Sequence, residues 1–260
     1  MEYSYTFASN TADLHLIWRL LTAGGRHALY ASSLREAAPV DARVVCGIVV
    51  PVPEFDLAEI SRKTLSYYEG RAREFWEGTC DHDVSQNIDA LLEAIGGEGP
   101  LRILDFGCGP GRDLLAFSER GHQPVGLDGA EAFVRMAREL TGVEVWQQDF
   151  LTLKLPAADF DGVFANASLF HVPTRELPRV LGELFDCLRP GGVLFVSNPR
   201  GENVEGWNRG RYGVYHDFKH WRAFALGAGF EEIHHYYRPE GLPREQQPWL
   251  ASLWRQPARE

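Results

Sequence analysis

The feature that most restricts this chain is an alternation: between Leu101 and Ser197, short β-rich runs and helical runs take turns. The β-rich runs are Arg102–Phe106, Gln123–Leu127, Val143–Gln147, Phe160–Ala165 and Val193–Ser197, with helical periodicity near Arg112–Glu119, Glu131–Leu140 and Glu176–Leu188. Strands separated by helices pair in parallel, because each crossover helix carries the chain back to the same end of the sheet. The pattern predicts an α/β fold, a doubly wound and mostly parallel sheet with helices on both faces. The runs Glu232–Tyr237 and Trp249–Trp254, joined by a connector containing Pro and Gly, read as an antiparallel pair at the sheet's edge. A chain of 260 residues, 45% hydrophobic, can bury the core such a sheet needs within one large domain.

The flanks are less regular. Residues 1–55 hold one candidate helix, Ala12–Leu21, and one strand-like run, Arg43–Val50, with no clear period. They are read as an extension, and residues 56–260 as the domain proper. The only methionines are Met1 and Met136, so a start near Val50 or Leu57 would leave every motif intact. The extension is therefore expected to be dispensable for ligand binding; the competing reading is a helix and strand packed on the sheet. From Asp56 an amphipathic helix runs through Tyr68 and Trp76, and a second from Val84 to Ile95 ends at Gly96-Gly97. Beyond Ser197 the residues up to Asp217 read as a loop rich in Gly, Asn and Arg. Asp217 then caps a helix that Gly227 or Gly229 stops.

Between the first strand and the first crossover helix lies Asp105-Phe106-Gly107-Cys108-Gly109-Pro110-Gly111. Glycines at such a turn let the backbone approach a ligand that side chains would obstruct. A dinucleotide fold spaces them Gly-x-Gly-x-x-Gly, whereas here Arg112 stands where the third is required. Asp105 would also repel a diphosphate and attract the ammonium of a methionine moiety. Asp128, followed by Gly129 at the end of the next strand, can take two ribose hydroxyls. Asp149-Phe150, after the third strand, offers a carboxylate to an adenine amino group and a ring to its face.

With these motifs the chain resembles the class I (Rossmann-like) S-adenosylmethionine-dependent methyltransferases of small-molecule type. Their motif order is matched from Ile103–Gly111 through Asp128, Asp149 and Phe160-Asp161-Gly162-Val163 to Leu188-Arg189-Pro190-Gly191-Gly192-Val193-Leu194. The resemblance covers roughly Tyr67 to Trp254. It implies a seven-stranded sheet with an antiparallel last strand, and S-adenosyl-L-methionine as cofactor at Asp105, Gly107, Cys108, Gly109, Gly111, Asp128, Gly129, Asp149 and Phe150. Asp161 is assigned structural pairing. Asn166, on the segment that lines the methionine and acceptor side in that family, is a further cofactor contact. His171 on the same segment is a candidate base, with His216 as a second. Tyr68, on a helix that closes over the cofactor in similar enzymes, would lend its ring to the sulfonium. Tyr67, Arg211 and Tyr215 are candidate acceptor contacts, with Gln246, Gln247 and Arg244 as further wall.

A formal net charge of -10 argues against a broad nucleic-acid surface, which needs clustered Lys and Arg. The 4 cysteines are scattered, without a Cys-x-x-Cys pair or His at zinc spacing, so no metal is expected. No apolar run is long enough to span a bilayer and the start lacks a signal peptide's pattern, so a cytoplasmic location is expected. The reaction implied is in-line methyl transfer to a small-molecule acceptor, in which alignment and exclusion of water matter most. Two alternatives stand beside it: a non-catalytic module binding S-adenosylmethionine or S-adenosylhomocysteine, and, less favoured by the glycine spacing, an NAD(P)-dependent oxidoreductase.

Overall fold

The computed structural model describes residues 42–45, 48–51, 56–97 and 99–258, in two units, Met1–Glu54 and Phe55–Glu260. In the first unit β1 (Ala42–Val45) and β2 (Ile48–Pro51) form an antiparallel ribbon with Val45 opposite Ile48. The single run expected over Arg43–Val50 is thus two paired strands. The helix expected over Ala12–Leu21 lies outside the described residues.

In the second unit seven strands form one sheet: β3 (Arg102–Phe106), β4 (Gln123–Asp128), β5 (Val145–Gln147), β6 (Phe160–Asn166), β7 (Leu188–Pro199), β10 (Glu231–Arg238) and β11 (Trp249–Arg255). Their spatial order is β10-β11-β7-β6-β3-β4-β5. Strands β3 to β7 pair in parallel, while β11 runs antiparallel to both β7 and β10. That is the doubly wound, mostly parallel sheet with an antiparallel last strand that was expected. Strand β3 has β4 on one side and β6 on the other, so the winding reverses there and a crevice opens at the carboxyl ends of β3, β4 and β6.

Because the sheet is covered on both faces, its strands are apolar at successive positions and split their side chains between two cores. Leu104, Phe106, Leu194, Val196, Leu250 and Trp254 face one way, with α6 (Leu177–Cys187) and α7 (Phe218–Gly227). Ile103, Val193, Phe195, Ala251 and Leu253 face the other, with Ile88 and Leu91 of α3 (Ser85–Ile95) and Phe117 of α4 (Arg112–Glu119). Helix α5 (Glu131–Thr141) packs Val134 and Ala137 on Leu114 of α4. Burying the Leu, Ile, Val and Phe side chains among them contributes about 1.5–3 kcal/mol each.

In the second unit the structure departs from the sequence reading in three further places. The helix expected from Asp56 through Trp76 is two, α1 (Leu57–Glu69) and α2 (Ala72–Glu77), because Gly70 closes the first by donating its N–H to Ser66 and Tyr68 carbonyls. Strand β7 begins at Leu188, earlier than its apolar run. The loop expected after Ser197 contains a hairpin, β8 (Val204–Asn208) and β9 (Arg211–Tyr215), whose two-residue turn has Arg209 and Gly210 at φ 50° and 91°. Positive φ at both positions suits the twist of a hairpin, and Arg in place of the usual Asn or Asp hid that signal. Asp217 caps α7 as expected, accepting from the His220 N–H at 2.8 Å.

Candidate active site

The loop between β3 and α4 is tied to the end of β4. Gly107 and Cys108 donate their N–H groups to the Leu127 carbonyl at 2.8 and 3.0 Å. One Asp128 oxygen accepts from Gly109 N–H at 3.0 Å and the other from Ala130 N–H at 2.9 Å. The side chain is 9% exposed, and burial pushes its carboxyl up to about 6 despite those N–H donors. Each oxygen keeps a lone pair for a further donor.

The glycines serve packing as well as access. A Cβ on Gly107, at φ 83°, would lie 2.3 Å from Ser168 Cβ, and one on Gly111 2.9 Å from Ala137 Cα, which lets α4 approach α5. Gly109 is the open position: Phe75 of α2 is the nearest group, at 3.7 Å. Over Gly129, Leu65 of α1 would meet an added Cβ at 2.6 Å.

Asp105, 2% exposed at the end of β3, leaves its Oδ2 without a partner. Burial, reinforced by the neighbouring Asp113 and only partly offset by Arg112, holds its carboxyl well above the usual range. Asp113 is gripped by Arg112 through both carboxylate oxygens, at 2.7 and 3.0 Å. Asn166 donates to Asp113 at 3.2 Å and accepts from Asn87 of α3 at 3.2 Å; Asn87 in turn accepts from Tyr236 and Arg238 of β10. The amide expected to contact cofactor takes part in a network running from the sheet's edge strand to Asp113 in the first turn of α4. Asn87, 2% exposed beside Ile88 and Leu91, was missed; its signal was a polar residue on the apolar face of a helix.

Past β5, Asp149 accepts from the Leu151 N–H at 2.8 Å and from the Ser61 hydroxyl of α1, while Phe150 stacks on Phe106 at 4.2 Å. Asp161 accepts from the Arg102 N–H and pairs with Arg189, the structural role expected.

Above the crevice Tyr68 sits among Tyr67, Phe75, Phe133 and His171, with ring centroids 5.4–5.8 Å away. His171 Nδ1 lies 2.5 Å from the Tyr212 carbonyl, which only accepts, so Nδ1 carries the proton. Nε2 then accepts from the Tyr68 hydroxyl, 2.7 Å away. Burial pushes the imidazole down to about 3 and the Tyr68 phenol up. In this structure the ring of His171, expected as a candidate base, has both nitrogens engaged in hydrogen bonds and its cation disfavoured by burial.

Arg211 lays its guanidinium over Tyr67 and Tyr68, 5.3 and 5.6 Å from the ring centroids, with Nε buried and unpartnered. No carboxylate pairs with it among the described residues. Tyr215 turns its hydroxyl along its own hairpin to accept from Asn208 at 2.8 Å. His216 lies in a small cavity with Asn198, Phe170, Trp221 and Leu250, where both ring nitrogens and Asn198 Oδ1 lack protein partners. Burial lowers its basicity. Arg244, expected as acceptor wall, stacks on Tyr237 at 3.1 Å and gives its carbonyl to Arg200, and Gln247 donates to Pro239. Among the described residues no cluster of three His, Cys, Asp or Glu gathers to hold a metal, and no helix is long and apolar enough to cross a membrane.

Residues 103–192 match the family model of a methyltransferase domain. Trans-aconitate 2-methyltransferase of Azoarcus sp. (strain BH72) is 37% identical over 112 residues, covering 42% of this chain and 44% of the relative. Malonyl-[acyl-carrier protein] O-methyltransferase of Salmonella typhimurium (strain LT2) is 27% identical over 184 residues, covering 65% of this chain and 72% of the relative. The alignments with trans-aconitate methyltransferases span less than half of those proteins. In fold, the chain is similar to Burkholderia thailandensis 1,6-didemethyltoxoflavin-N1-methyltransferase, solved with 1,6-didemethyltoxoflavin and S-adenosylhomocysteine. The TM-score is 0.66 at 21% identity, over 80% of this chain and 93% of that one.

Proposed function

We propose that this chain, in keeping with its match to a methyltransferase domain over residues 103–192, is a class I S-adenosylmethionine-dependent methyltransferase that methylates a small anionic acceptor, a carboxylic acid, by in-line displacement. The observation that carries the reading is the pairing of Asp128, pinned by Gly109 and Ala130, with the unpartnered Oδ2 of buried Asp105 on the adjacent strand. Those groups fit a ribose and an α-ammonium, and the second explains why a carboxylate oxygen is left buried without a donor. S-adenosylmethionine, when bound, supplies an electrophilic methyl on a sulfonium. Asp128 holds the ribose hydroxyls, Asp105 faces the ammonium, and Asp149 with Phe150 receives the adenine. Tyr68, Phe75 and Phe133 exclude water and offer aromatic faces to positive charge.

For the acceptor, Arg211 is a cation without a carboxylate partner in a protein of net charge -10, beside Tyr67 and Tyr68. A planar guanidinium of this kind suits a carboxylate. Such an acceptor arrives already ionised and needs no general base, in keeping with the depressed basicity of His171. Relatives named for trans-aconitate and malonyl-[acyl-carrier protein] support the same class. The test is S-adenosylhomocysteine formation with a panel of di- and tricarboxylic acids, amines and phenols. Carboxylic acids are expected to turn over, with KM raised at least about tenfold in Arg211→Gln; turnover of amines or phenols alone would overturn the acceptor class.

A further inference from the structure

Helix α1 is held on two sides. Toward the crevice, Ser61 reaches Asp149, Leu65 covers Gly129, Tyr68 bonds His171, and Glu69 accepts the Ala132 N–H of α5 at 3.0 Å. Toward the hairpin, Ile60 packs with Tyr212 and Val214, Thr64 accepts the Tyr212 N–H at 3.1 Å, and Gly210 and Arg211 lie against Tyr67. Positions 61, 65 and 68 share one helical face, while 60, 64 and 67 form the other. Phe75 of α2 is the nearest group to Gly109, and Leu65 of α1 covers Gly129, so both helices border the glycine loop.

One side chain ties these parts to the rigid sheet. His171, in the turn after β6, donates to the Tyr212 carbonyl of the hairpin and accepts from Tyr68 of α1. We propose that His171 is a latch: it joins hairpin and α1 to the sheet and sets the rate at which the cofactor crevice opens. The assignment rests on the cofactor reading above. Nothing in the latch is ligand, so it closes on the empty and the loaded crevice alike. Its loss therefore speeds entry and release together and leaves affinity nearly unchanged, since a contact present equally in both states shifts no equilibrium.

The experiment uses the full chain with S-adenosylhomocysteine as probe, in His171→Ala, His171→Gln and Tyr68→Phe, reading stopped-flow association and dissociation alongside hydrogen exchange of residues 57–69. A glutamine amide can donate to the Tyr212 carbonyl and accept from Tyr68, so it replaces both bonds. His171→Ala is expected to raise both rate constants and α1 exchange by about tenfold or more, with Kd within about threefold of wild type. His171→Gln is expected near wild type, and Tyr68→Phe is expected to speed α1 exchange because it cuts the same latch on the helix side. Unchanged α1 exchange in His171→Ala overturns the latch. So does a weaker Kd with association unchanged, which would make His171 a ligand contact. If the wild-type chain binds no S-adenosylhomocysteine, the cofactor reading falls, and the exchange data still decide the latch.

Discussion

Lowering the pH probes Asp128 without altering a residue. Burial raises its carboxyl from 3.8 to about 6, against the pull of the Ala130, Gly109 and Gly129 N–H groups. The displacement corresponds to about 3 kcal/mol by which the empty site disfavours the carboxylate. Only the ionised form accepts from both hydroxyls of the proposed ribose, so binding is expected to lower this pKa and expel a proton wherever the empty site is protonated. Affinity for S-adenosylhomocysteine is then flat above about pH 7 and falls below pH 6 toward a limit of about tenfold per pH unit, or roughly tenfold weaker at pH 5. Asp105, raised in the same direction, steepens the decline if it receives the ammonium. Stability of the empty protein runs the other way. With the folded pKa above the unfolded one, this group costs stability above pH 6, and the cost disappears as the pH falls through 6 toward 4. Titration calorimetry from pH 5 to 8, in two buffers of different ionisation enthalpy, reads affinity and proton release together. Release approaching one proton at pH 5 is expected; constant affinity without proton exchange would refute the assignment.

Two substitutions separate packing from binding. Gly107→Ala, at φ 83° and 2.3 Å from Ser168 Cβ, is expected to cost about 3 kcal/mol or more, whereas Gly109→Ala, with its nearest neighbour at 3.7 Å, should cost only the ~1–2 kcal/mol of a left-handed backbone. Thermal unfolding measures the difference. Asp217→Ala removes the cap of α7 and is expected to destabilise by about 1 kcal/mol, with the affinity for S-adenosylhomocysteine unchanged by calorimetry.

What was legible in the sequence is what periodicity and a rigid motif encode. The run Arg102–Phe106 coincides with β3, and Arg112–Glu119 with α4, because each is bounded by the glycines and buried apolar positions that define it. Asp128 could be located because a strand end fixes it. The hairpin was not legible, since β8 is largely exposed and carries little apolar alternation, and an Arg-Gly turn is chemically inconspicuous. Nor could the sequence reveal the side-chain network in which Asn166 takes part. Its partners Asn87 and Asp113 are distant along the chain and meet only because α3 and α4 share one face of the sheet. His171 shows the same limit: position in the chain marked it as near the crevice, but its protonation is set by the Tyr212 carbonyl, which the unforeseen hairpin brings to it.

The central claim is that the crevice at Asp105, Gly109 and Asp128 is built for S-adenosylmethionine, and calorimetric titration of the full chain with S-adenosylmethionine, S-adenosylhomocysteine and NAD⁺, repeated on Asp128→Asn, tests it most directly. The account predicts one-to-one binding of both sulfur nucleosides, weakened at least about tenfold by the substitution, and no binding of NAD⁺. Binding of NAD⁺ in their place, or unchanged affinity in a folded Asp128→Asn, would contradict it.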